Sequence, residues 1–166
     1  GIIVATVCVV WLLQAIPAVP VAAFGQVPVE QSLYAAMASA ITPVFGPAGF
    51  GDWHATAALA TGFVAKEVVV GAFAQSFAVD EPQDPANGGS LAERLRASFD
   101  ESSGGHGGVA AIAFLVFVLT YTPCLATVAE QARLLGARRT AVAVALQLVT
   151  AWLLAVAVFQ VGRLWW

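Results

Sequence analysis

Charge is what this sequence has least of. Of its 166 residues, 10% are Asp, Glu, Lys or Arg, where an ordinary soluble domain carries about 25%. So few charges cannot coat a water-soluble globule of this length, and a soluble enzyme or a disordered chain fits poorly. Seven basic residues against ten acidic ones give a net charge of −3 with no basic stripe, which argues against a nucleic-acid binder. Cysteine is scarce too. Cys8 and Cys124 both sit in apolar stretches, so a disulfide framework is not expected. Recognisable catalytic constellations are missing: there is no Gly-x-x-x-x-Gly-Lys-Ser/Thr loop, no His-Glu-x-x-His, no Gly-x-Ser-x-Gly and no zinc-spaced cysteine pair. The chain itself is therefore not expected to be an enzyme.

What is present is apolar. The hydrophobic share is 60% and the mean hydropathy is +0.83, which leaves an integral membrane protein. The charges also cluster. Six acids and two arginines lie between Asp80 and Glu101, and Arg133, Arg138 and Arg139 lie together, with long uncharged runs between. A chain alternating between lipid and water has this pattern. The sequence starts inside an apolar run with no Met and no basic region before it. That is not a signal peptide, and the chain is expected to be a fragment of a longer protein.

Five segments follow. The first, Gly1 to about Ile16, reads as a membrane helix ended by Pro17 and Pro20. The second, Val29 to Phe45, carries Leu33, Met37 and Ile41 at i, i+4 and i+8, as an amphipathic helix would at the interface or against the bundle. Pro43 and Pro47 end it. Asp52 is a good N-cap for a third segment from Trp53 to about Val79, long enough to span. Residues 80–108 form a polar extramembrane loop in which Leu91, Leu95 and Phe99 outline a short surface helix. Val109–Ala129 and Thr140–Gly162 are uncharged spans of 21 and 23 residues. Gly136 is a helix C-cap between them. The fold class expected is all-α: a polytopic transmembrane bundle with an interfacial helix and broken helices.

Two places could carry chemistry. Lys66-Glu67 falls near the middle of the third segment, where a charge costs about 2.5–3.5 kcal/mol on insertion scales. Adjacent helical residues point about 100° apart, so the pair cannot face one partner equally. It is either a structural ion pair or an intramembrane polar site. The second place is Thr120-Tyr121-Thr122-Pro123-Cys124. Pro123 has no N–H, so the carbonyl of residue 119 loses its helical partner, and Thr122 is biased away from helical angles. Broken membrane helices free carbonyls that protein or a wet cavity must satisfy, and transporters place ion sites at such breaks. Thr120, Cys124 and Thr127 share a face at i, i+4 and i+7, which Gln131 extends. A thiolate suits late first-row metals, and hydroxyls and carbonyls are harder ligands. The bland alternative is a proline kink with a small cysteine filling space. Cys8 reads as a packed small residue, His54 as interfacial, and His106 as solvated. Gln147 and Thr150 read as interhelical hydrogen-bond formers, Glu130 as solvated or paired with Arg133, and Trp165-Trp166 as an interfacial anchor.

Gly62-Phe-Val-Ala-Lys-Glu-Val-Val-Val-Gly71 closely resembles a motif in the membrane part of FeoB, the bacterial ferrous iron transport protein B family. Tyr121-Thr-Pro-Cys-Leu-Ala-Thr127 resembles its second gate motif, usually Tyr-Phe-Pro-Cys-Val-Ala-Thr, with Thr122 where the family usually has Phe. The resemblance covers essentially the whole chain as the C-terminal gate half of the membrane domain. It implies Fe(II) as the transported ion and Cys124 and Glu67 as metal contacts. Lys66 would balance the charge of Glu67, and Thr120, Thr122, Pro123 and Thr127 would line the pathway. It further implies a bacterial inner-membrane location. The expected partners are the lipid bilayer and a missing N-terminal GTP-binding domain and first gate, with no nucleic acid. A homo-oligomer is compatible. The positive-inside rule puts the arginine loop in the cytoplasm and the C-terminus outside, whereas the family is drawn with a cytoplasmic C-terminus. Two alternatives stand beside this reading: a gate-type transporter of another solute such as a nucleoside, and a non-transporting membrane scaffold.

Overall fold

The computed structural model describes residues 2–18, 31–64, 68–77, 89–121 and 124–165. Among them lie eight α-helices: α1 (Ile2–Ala15), α2 (Leu33–Ile41), α3 (Trp53–Val64), α4 (Val69–Ser76), α5 (Gly89–Ser103), α6 (Gly107–Thr120), α7 (Leu125–Leu135) and α8 (Ala137–Trp165). A 3-10 stretch, Thr42–Ala48, continues α2. The described residues contain no strand beyond an isolated bridge between Pro17 and Ser32.

The core combines aromatic rings, Phe50, Phe73, Phe99, Phe114, Phe117 and Phe159, with many alanines, and much of the aliphatic side-chain surface is exposed. Ala35, Ala55, Ala58, Ala110, Ala113, Ala151 and Ala155 are buried, while Trp11, Leu115, Leu119, Leu146, Leu153 and Leu164 face outward. Lipid tails are as apolar as leucine, so outward-facing leucines carry no penalty in a bilayer, and small residues let helix backbones approach. Two runs are long and apolar enough to cross a bilayer, Gly107–Leu135 and Ala137–Trp165. The count rises to three if Leu33–Ala48 and Trp53–Phe63, bent by 103°, form one span. The fourth and fifth expected segments are these two runs. At 1.5 Å per residue α8 is about 43 Å long, well over the roughly 30 Å hydrocarbon core. The first segment is helical as expected and ends before Pro17, but the 14 residues of α1 fall short of the roughly 20 a span needs.

Residues 53–79 do not form the single expected span. The His54 ring, in the first turn of α3, stacks on Phe77, just after α4, with centroids 4.0 Å apart. A straight helix would separate these two residues by about 35 Å. At the other end, a Cβ on Gly62 would fall 2.5 Å from Val69 Cγ2. The two helices are therefore antiparallel arms of a hairpin that enters and leaves at one level. An apolar composition is equally satisfied by a straight span and by a folded-back pair, which is why composition alone misassigned it.

Three further elements refine the expectations. Ser32 caps α2, accepting from the Ala35 N–H at 3.2 Å, but the α-helix stops at Ile41 because Pro43 and Pro47 force the tighter 3-10 winding. The stripe Met37 and Ile41 faces outward while Tyr34, Ala35 and Ala38 are buried, so α2 packs through Tyr34 and its alanines rather than through that stripe. The loop helix exists as α5, but its apolar stripe is not a surface feature. Leu91 and Phe99 are buried, and Phe99 lies 5.6 Å from Phe114 and 6.4 Å from Phe73 between ring centroids. Cys8 is exposed rather than packed, because α1 turns this face away from the bundle.

The crossing helices run antiparallel. Val109 of α6 lies against Gly162 of α8, and Thr120 at the other end of α6 meets Gln147. Gly136, at φ +86°, ends α7 as expected, with its N–H on the Ala132 carbonyl. The arginines at 133, 138 and 139 thus sit at the end of the bundle away from α5. Trp165 is exposed at the end of α8, and Trp166 lies outside the described residues.

Candidate functional site

The hairpin is fixed at its mouth by α5. Asp52 caps α3 as expected, its Oδ2 accepting from the N–H groups of His54 at 3.1 Å and Ala55 at 3.4 Å. The same oxygen accepts from the Ser98 hydroxyl at 2.9 Å. Ser102 donates to the Gly49 carbonyl at 3.0 Å, and the Gly107 N–H donates to Asp100 at 2.9 Å. These bonds place the start of α3, the end of α5 and the start of α6 at one level. His54 lies between the rings of Trp53 and Phe77, each 4.0 Å away. A cleft of about 490 Å³ opens here, lined by Asp52, His54, Phe77, Arg94, Ser98 and Glu101 among others. His106 precedes α6 at this level.

The crossing run breaks where the sequence places the fracture. α6 ends at Tyr121, whose backbone is extended (φ −67°, ψ 170°). Cys124, also extended (φ −55°, ψ 157°), is the N-cap of α7. Thr122 and Pro123 lie outside the described residues. Extended backbone on both sides of the proline destroys the helical register, so Thr120 does not share one continuous face with Cys124, Thr127 and Gln131. Cys124 and Thr127 do meet: Sγ and Oγ1 are 3.4 Å apart, and the Cys124 carbonyl accepts from the N–H groups of Thr127 at 2.9 Å and Val128 at 3.1 Å. Thr120 contributes its carbonyl, which accepts from Gln147 Nε2 at 3.3 Å. Gln147 is thus an interhelical hydrogen-bond former, as expected. Thr150 bonds its own helix, at the Leu146 carbonyl. Glu130 and Arg133 form the expected pair at 3.2 Å.

The inner end of the hairpin and the break touch. Tyr121 is buried, its ring stacked on Phe117, and its hydroxyl donates to the Leu59 carbonyl of α3 at 3.5 Å. A Cβ on Gly62 would fall 2.9 Å from that hydroxyl. Along the helix axes, Thr120 lies about 20 Å from the start of α6, and Leu59 and Gly62 about 9 and 14 Å from the start of α3. The junction therefore falls part-way along Gly107–Leu135, a run long and apolar enough to cross a bilayer. Lys66 and Glu67 lie outside the described residues, in the link from α3 to α4. Among the described residues no group of three or more His, Cys, Asp or Glu could hold a metal ion.

The sequence reading missed Tyr121 and Gly62 as the contact between the two elements. Both stand inside the quoted motif strings, and a glycine facing a close neighbour beside an aromatic was the available signal.

A folded-back helical pair meeting a broken helix that is long and apolar enough to cross a bilayer defines a polytopic α-helical membrane protein. The chain belongs to the gate (nucleoside recognition) family, whose profile matches residues 1–138. It is 34% identical over 138 residues to an Fe(2+) transport protein A/Fe(2+) transporter FeoB fusion protein of Porphyromonas gingivalis, covering 81% of this chain and 16% of that protein. It is 34% identical over 137 residues to an Fe(2+) transporter FeoB of Staphylococcus aureus, and 31% identical over 136 residues to one of Methanocaldococcus jannaschii; each match covers 82% of this chain and 18% of the relative. The chain thus spans less than a fifth of the length of these curated relatives. The FeoB resemblance carried by the two motifs stands on these matches. No solved structure matches the chain significantly.

Proposed function

We propose that this chain is the C-terminal gate half of a longer transporter and forms half of a path for ferrous iron across a bacterial plasma membrane. The observation that supports the reading best is the contact of the hairpin with the helix break, part-way along a run long and apolar enough to cross a bilayer. Irregular backbone there provides polar groups for a passing ion.

Hydrated Fe(II) must shed water to pass. Cys124, at the start of α7, would offer a soft sulfur, and Thr120, Thr122 and Thr127 harder oxygens. Pro123 keeps the helix open, and Glu67 would supply a carboxylate balanced by Lys66. Replacement of the hydration shell must be incomplete, since binding that is too tight blocks release. Iron is cargo here, and GTP would act on the part of the longer protein that precedes this chain.

Fe(II) uptake by cells expressing the full-length protein tests this. Cys124→Ser lowers uptake at wild-type protein level; undiminished uptake by a well-expressed variant removes Cys124 from the path. Glu67→Gln lowers uptake more than abundance, whereas loss of the protein itself favours a structural pair. The family description favours a second substrate, a nucleoside. Reading base and ribose takes several amides or carboxylates, and the described residues at the break offer little beyond Gln147. Inhibition of Fe(II) uptake by nucleosides would support it.

A further inference from the structure

We infer that Gln147 is a positioning residue for the break: its side-chain amide replaces the backbone donor that the fracture removes, and so fixes where Cys124 sits. The inference rests on the reading of Cys124 as a path residue. In an unbroken helix the Thr120 carbonyl would accept from the N–H of residue 124. The extended angles at Tyr121 and Cys124 carry that N–H away. A carbonyl left bare at this depth is costly, and Gln147 Nε2 reaches it at 3.3 Å from the neighbouring helix.

Gln147 stands in the 23-residue uncharged run Thr140–Gly162, flanked by the outward-facing Leu146 and Leu148. A polar side chain in such a run is expensive unless it has an intramembrane partner. Here the partner is the last carbonyl before the fracture. The Thr150 hydroxyl, one turn further on, bonds the Leu146 carbonyl of its own helix and serves as the control. Because the bond joins α8 to the end of α6, it fixes the orientation of the Thr120–Tyr121 peptide from which the chain leaves the helix. Without it the Thr120 carbonyl is drawn toward the helical partner it lost, the N–H of residue 124.

The test uses the full-length transporter, purified and reconstituted. The readout is the alkylation rate of Cys124 by a small maleimide, followed by mass spectrometry of its peptide, together with the KM and maximal rate of Fe(II) uptake. Gln147→Leu should change the alkylation rate about fivefold, the factor for losing one hydrogen bond of ordinary net strength. It should raise KM more than it lowers the maximal rate. Thr150→Val should leave both readouts unchanged. If Gln147→Leu accumulates poorly, Gln147→Met keeps the length without the donor, and alkylation is scored on the folded, purified fraction. Alkylation within twofold of wild type in the Gln147→Leu or Gln147→Met protein overturns the inference. The alkylation arm contains no iron. A fivefold change alongside normal transport by Cys124→Ser would thus sustain the positioning role while removing the iron reading.

Discussion

The hydroxyl of Tyr121 lies 3.5 Å from the carbonyl of Leu59, joining the end of a broken crossing helix to the inner half of a folded-back pair. Sixty-two residues separate the two in sequence. The contact brings the two motif strings of the chain to one place, since Gly62 opens one and Tyr121 the other. A displacement of the hairpin must then either move the break or shear this contact, because packed interiors transmit strain.

Gly62 tests the closeness of that packing. Gly62→Ala puts a methyl group 2.5 Å from Val69 Cγ2 and 2.9 Å from the Tyr121 hydroxyl. Overpacking of this kind costs about 1–3 kcal/mol. The expected outcome is a lower unfolding temperature in detergent, with partial recovery in the double variant Gly62→Ala, Val69→Ala. Additive losses would contradict the contact.

Asp52 tests the mouth of the hairpin. Asp52→Ala removes the cap of α3 and the acceptor for Ser98. A lost cap alone costs about 0.5–2 kcal/mol, so the thermal shift should exceed that of Ser98→Ala. Equal shifts would mean that the cap contributes nothing.

The hairpin itself is tested by sidedness. Cysteines at Gln75 and Ser102 should label with an impermeant thiol reagent from one face of the membrane, and a cysteine at Arg138 from the other. Labelling of Gln75→Cys from the Arg138 face would restore a single span over residues 53–79.

The sequence carried some of this and not the rest, for identifiable reasons. Asp52, Gly136 and Pro17 act through local backbone chemistry, and each cap or stop is where the residue type puts it. The fracture at Pro123 was legible for the same reason. Folding α3 back on α4 is not local. It depends on His54 meeting Phe77 and Gly62 meeting Val69, pairings that an apolar run does not encode in its period. The burial of Leu91 and Phe99 was hidden too. A polar loop with an apolar stripe looks like a surface helix until the rings it packs against, Phe73 and Phe114, are known. The shared face of Thr120 and Cys124 failed because a period of 3.6 was carried across a proline that ends it.

The most direct test of an iron path through the break is protection of Cys124. The full-length transporter in proteoliposomes is treated with a membrane-permeant maleimide under anaerobic conditions, with and without saturating Fe(II), with Mg(II) as control. Slowed alkylation of Cys124 with Fe(II) and not with Mg(II), and unchanged alkylation of Cys8, is the predicted result. Equal Cys124 alkylation with Fe(II), with Mg(II) and with neither would contradict it.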